Sequence, residues 1–108
     1  MKIEWTGGQP RTTRQAVDGT GALVPFQGDS RAYGGGTTKW LILRNLSVTA
    51  TEIIRVYWTK EDFDGDKNYV TLDINEEISA PIEMAVGVYA KSQAGTPTLE
   101  VTALYRRA

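Results

Sequence analysis

The chain predicts an all-β fold, an antiparallel β-sandwich of jelly-roll type with an extended glycine-rich N-terminal arm. Three observations lead there. From Thr38 onward, short runs rich in Val, Ile, Leu, Tyr and Trp recur at intervals of roughly 8 to 16 residues, divided by Gly, Pro, Asn and Asp turn chemistry. No segment displays a convincing amphipathic helical period. Nor does any period of roughly 20–50 residues repeat, which excludes solenoids and propellers.

Residues 1–37 form the first part, the arm. They hold eight of the eleven glycines, two prolines and one short apolar cluster, Ala22 to Phe26. One or two short strands are expected inside this arm, and Trp5, Leu23, Val24 and Phe26 are its apolar anchors for docking on a surface. Residues 38–108 form the sandwich domain. Lys39 to Arg44 (KWLILR) is apolar on both faces, Trp40 and Ile42 on one and Leu41 and Leu43 on the other, as in a central strand covered twice.

Ile53 to Thr59 alternates, with Ile54, Val56 and Trp58 against Arg55, Tyr57 and Thr59. The acidic stretch from Glu61 to Asn68 then reads as a hairpin connection. Tyr69 to Ile74 follows, turning Val70, Leu72 and Ile74 inward. Pro81 within Ile78 to Glu83 marks a short strand at a sheet edge or bulge, because proline cannot donate to a ladder. Met84 to Lys91, a turn over Ser92 to Pro97, and Thr98 to Tyr105 complete the series. In the last strand Leu99, Val101, Ala103 and Tyr105 share a face.

Composition narrows the chemistry. A chain of 108 residues fits one domain with a modest core. Cysteine is absent, which removes disulfides, thiolate metal sites and cysteine nucleophiles. Histidine is absent too, and with it the commonest general base and the partner that activates a serine. Twelve basic and thirteen acidic residues leave a net charge of −1, so no overall field gathers nucleic acid or an anionic membrane. No apolar run approaches the roughly 20 residues of a membrane span, and the first residues lack the apolar core of a secretory signal.

From Trp40 onward a specific order of features stands out. An apolar strand ends in asparagine (WLILRN), a tyrosine-bearing strand follows (IRVYW), then an acidic hairpin and Y-V-T-L-D-I. Next come NEEISAPIE, V-Y-A-K-S, a short Gly/Thr turn and a final T-L-E-V strand. Over about residues 40–105 this order resembles small β-sandwich virion structural proteins of tailed bacteriophages, of the capsid-decoration or tail- and fibre-associated type. It departs from them at the fourth turn, where Ile74 and Asn75 stand in place of Pro-Gly. The resemblance implies a non-enzymatic, oligomeric capsid decoration (cement) protein located in the virion. Its implied partners are itself, as a homotrimer, and a capsid or tail protein.

The residues also offer alternatives. Asp62, Asp64, Asp66 and Asn68 occupy alternate positions, and calcium needs several converging oxygens. An EF-hand loop, however, wants Gly and Glu where this chain has Lys67 and Asp73. A solvated hairpin is the favoured reading there, and no metal or cofactor is expected. Tyr57 and Tyr69, on the outward face, are first suspects for a carbohydrate- or receptor-binding module, since aromatic rings stack on sugars. Trp40 and Trp58 are expected to face inward and fill the core. The arginines Arg11, Arg14 and Arg31 are balanced by Glu4, Asp18 and Asp29, so neither specific nucleic-acid nor membrane binding is expected. Glu52, Asp73, Glu76, Glu77, Glu83 and Glu100 show no spacing that marks a catalytic pair, and no catalytic residue is assigned.

Overall fold

The computed structural model describes residues 10–25, 38–81 and 87–105. Among them are eight strands and one short helix: β1 Pro10–Ala16, β2 Ala22–Pro25, β3 Thr38–Asn45, β4 Ile54–Tyr57, α1 Lys60–Gly65, β5 Val70–Leu72, β6 Glu77–Ala80, β7 Gly87–Ser92 and β8 Thr98–Tyr105. They build two four-stranded sheets, the first in the order β1-β8-β3-β6 and the second in the order β2-β7-β4-β5. Every pairing is antiparallel. Only β4 and β5 are chain neighbours that pair with each other. The other connections lead to a strand in the opposite sheet, which is the jelly-roll pattern.

Within residues 1–37, where one or two short strands are expected, two are present and are integral to this pattern. β1 lies along β8 at one edge of the first sheet, and β2 lies along β7 at the corresponding edge of the second. Val24 therefore sits in the core, fully buried. The expectation that it anchors an interface is corrected by this placement, because alternation in β2 turns Val24 inward and leaves Leu23 outside. At the point where β2 runs beside β7, a side chain on Gly87 would collide with the Val24 carbonyl oxygen. Glycine there lets the two backbones approach.

The core lies between the sheets. Leu41 and Leu43 from β3, Leu99, Val101 and Ala103 from β8, Ile54 and Val56 from β4, Leu72 from β5 and Val88 and Ala90 from β7 are all buried there. Burial of each large aliphatic side chain contributes roughly 1.5–3 kcal/mol. Trp58 and Ile78 pack against this core from its margin. Trp40 does not fill it. With Leu41 and Leu43 turned inward, Trp40 and Ile42 face outward from the first sheet and are half-buried.

Asn45, the last residue of β3, is a fully buried polar group placed between the layers. Its side-chain amide donates to the Glu52 carbonyl at 2.8 Å and to the Leu72 carbonyl of the second sheet at 3.2 Å. Its side-chain oxygen accepts the Ser47 N–H at 2.9 Å. A buried amide with three partners stitches one sheet to the other at little desolvation cost. The neighbouring loops are tied in the same way, Val17 N–H to Pro97 O at 2.8 Å, Leu46 N–H to Thr98 O at 2.9 Å and Gln93 N–H to Ile53 O at 2.8 Å.

Candidate functional site

The two suspected tyrosines and the acidic run from Asp62 to Asn68 meet at one surface, the outer face of the second sheet. Alternation in β4 sends Ile54 and Val56 to the core and Arg55 and Tyr57 outward. The register sets Tyr57 opposite Tyr89 of β7, and Arg55 between Lys91 of β7 and Thr71 of β5. Leu23 lies opposite Tyr89 on its other side.

α1 packs over this face within what the sequence suggests is a plain hairpin. Its start is local chemistry: Thr59, extended, caps the helix by accepting the Asp62 N–H at 3.1 Å, and Glu61 and Asp62 complement the first turn. Its end is Asp66, whose φ of 51° is left-handed and whose N–H returns to the Asp62 and Phe63 carbonyls. The Thr-x-x-Asp pattern at 59–62 is the signal by which such a helix can be found in the sequence.

Phe63 is the helix's one apolar side chain. It meets Tyr57 edge-on at 5.4 Å and stacks on Tyr89 at 5.3 Å, while Tyr69 closes on Tyr57 from another side at 5.6 Å. Two cations lie over these rings. The Arg55 guanidinium is 4.6 Å from the Tyr69 centroid, and the Lys91 ammonium is 5.6 Å and 5.1 Å from those of Tyr57 and Phe63. Gly21 completes the floor. At φ +82° it adopts a backbone that side chains disfavour, and a Cβ there would sit 2.7 Å from the Phe63 ring.

Tyr57 thus lies on the outward side of its sheet and is nevertheless 0% exposed. This corrects the expectation that its ring is open to a ligand. Tyr69 keeps 39% of its surface and Leu23 keeps 37%. The Tyr57 hydroxyl donates to the Asp66 carboxylate. Burial, reinforced by that hydrogen bond and by the Asp66 charge, pushes the phenol from 10.0 up to about 12. Reciprocally, the hydroxyl holds Asp66 below its ordinary range, with the charges of Arg55 and Lys91 acting in the same direction. Arg55 completes the group with an ion pair to Asp66 at 3.2 Å.

The acidic run does not converge on a point. Asp64 pairs with Lys60 at 2.8 Å, Asp66 turns to Tyr57 and Arg55, and Asp62 accepts from the Asn68 amide at 3.2 Å. A helix rotates alternate residues by roughly 200°, so Asp62 and Asp64 point apart. Among the described residues no group of three or more acidic side chains is placed to hold a metal ion.

The remaining candidates are dispersed. Trp5, Phe26 and Arg31 lie outside the described residues, as do Glu83 and the side chain of Arg11. Arg14 pairs with Glu100 at 2.8 Å across β1 and β8. Glu52 accepts the Ser47 hydroxyl at 2.6 Å and the Thr96 N–H at 3.1 Å. The Ser47 bond in particular lowers its pKa. Glu76 closes a turn by accepting the Asp73 N–H at 3.0 Å. These carboxylates act as loop staples, each bonded to a separate donor.

Neither a protein-family model nor a curated protein matches this chain. The described residues establish a small antiparallel sandwich of two four-stranded sheets.

Proposed function

We propose that this protein is a non-enzymatic structural component of a tailed-phage virion, a homotrimeric capsid decoration protein that binds itself and a capsid or tail protein. One observation carries the reading. β3 is apolar on both sides, and the second sheet covers only the side of Leu41 and Leu43. Trp40 and Ile42 face outward on the first sheet and are half-buried, and Trp40 lies opposite Leu104 of β8. The Trp40 indole N–H is shielded and has no hydrogen-bond acceptor among the described residues. A neighbouring subunit seated here would cover what remains exposed of Trp40 and Ile42 and can supply the acceptor.

The jelly-roll order adds support, since capsid and lectin domains use it, although fold by itself assigns no function. Deletion of residues 1–35 would remove an outer strand from each sheet, so assembly is better tested by point substitution. Light scattering after size exclusion, over a range of concentrations, is expected to give three times the 11.9 kDa chain mass. Ile42→Glu is expected to yield a monomer with an unchanged circular dichroism spectrum. A wild-type monomer at every concentration overturns the self-assembling reading. It would shift attention to ligand recognition, with the partly exposed ring of Tyr69 as the place to look.

A further inference from the structure

We infer that the side opening of the sandwich between β5 and β6 is a binding site for a small neutral apolar molecule, one ring carrying at most a short alkyl group. A cavity of about 220 Å³ lies there, lined by Leu41, Leu43, Trp58, Val70, Ile78 and Ala80, with Ser79 the single polar residue of the lining. Its size selects the ligand. Apolar protein cavities of about 150 Å³ accept benzene, whereas drug-sized ligands need roughly 300–1,000 Å³.

The lining selects the chemistry. It contains no ionisable side chain, so a charged group would lose its hydration with no counter-charge to replace it. A flat apolar ring, by contrast, gains contact with Trp58 and with the aliphatic floor.

The architecture provides a rigid floor and separable walls. Leu41 and Leu43 belong to β3, which is paired on both sides and is held by the core. Val70 stands on β5 and Ile78 and Ala80 on β6, the outermost strands of different sheets, and these two strands do not pair with each other. The walls can therefore part without breaking a ladder, which gives a ligand a way in.

Methyl-detected NMR of the full chain, titrated with toluene, tests the site. Saturable shifts with one shared dissociation constant are expected at Leu41, Leu43, Val70 and Ile78, together with the Trp58 indole. Benzylammonium, a cation with the same ring, is expected to leave them unmoved. Ala80→Leu, which fills the cavity from the β6 wall, should weaken toluene binding at least about tenfold. Val70→Met closes it from the β5 wall and serves if Ala80→Leu does not fold. Shifts that fail to saturate, that scatter over the chain, or that survive a folded filling variant overturn the inference.

Discussion

On the outer face of the second sheet, six residues of helix bury a tyrosine completely, whereas on the outer face of the first sheet the described residues form half-buried cross-strand rows. Those rows grade along the strands. Arg14, Glu100, Arg44 and Glu77 form a rung of alternating charge across all four strands. Thr12, Thr102, Ile42 and Ser79 form the next, with the two threonine hydroxyls 3.0 Å apart. Leu104 and Trp40 form an apolar third. Both faces begin from the same period-2 alternation. Among the described residues, a segment returns over the second sheet carrying Phe63, and that cover converts surface positions into a second small core.

This difference predicts unequal responses to substitution. Tyr57→Ala should cost about 3–5 kcal/mol, the range for deleting a buried aromatic side chain. It also removes the phenolic donor of Asp66, leaving Arg55 as its partner. Urea unfolding measures the loss, and a value under about 1 kcal/mol would show that α1 does not seal the face. Phe63→Ala removes the helix's only apolar contact and should cost about 2 kcal/mol, since its ring is half-buried but touches two others.

A third test sharpens the comparison through pH. The folded state holds the Tyr57 proton up to about 12, while the unfolded chain releases it near 10.0. Between those values the unfolded state binds fewer protons, so stability is whole below the lower value and falls as pH rises toward the upper one. Tyr57→Phe should abolish that part of the alkaline decline. Ultraviolet titration of tyrosinate should correspondingly show a late phenol that Tyr57→Phe removes, and its absence would mean the ring is open to water.

The smallest effect belongs to the first sheet. The Arg14 side chain is 62% exposed, so its ion pair with Glu100 is screened, and Arg14→Ala should change stability by no more than about 0.5 kcal/mol. A larger loss would show that the charged rung acts as a network and that the two faces are less different than their geometry implies.

Much of the sandwich is legible in the chain. Thr98 to Tyr105 forms the last strand at the expected residues, and Ile54, Val56, Leu72 and Leu99 enter the core as their alternation suggests. Pro81 correctly marks β6 as short and outermost. α1 escapes because a single turn and a half is too short to establish a period, and its capping pattern lies within a run that also reads as turn chemistry. The alternate spacing of Asp62, Asp64 and Asp66 carries meaning only for extended or loop backbone, and the helix dissolves it.

The sequence by itself determined which residues lie together on a strand face, because side chains alternate with a period set by covalent geometry. Tertiary structure alone decided which of those faces would be covered. The choice between Leu41 and Trp40 as the inward side of β3, the joining of β1 and β2 to different sheets, and the burial of Tyr57 beneath Phe63 depend on contacts between residues far apart in the chain. Periodicity counts positions along one strand and contains no record of what another segment will lay across them.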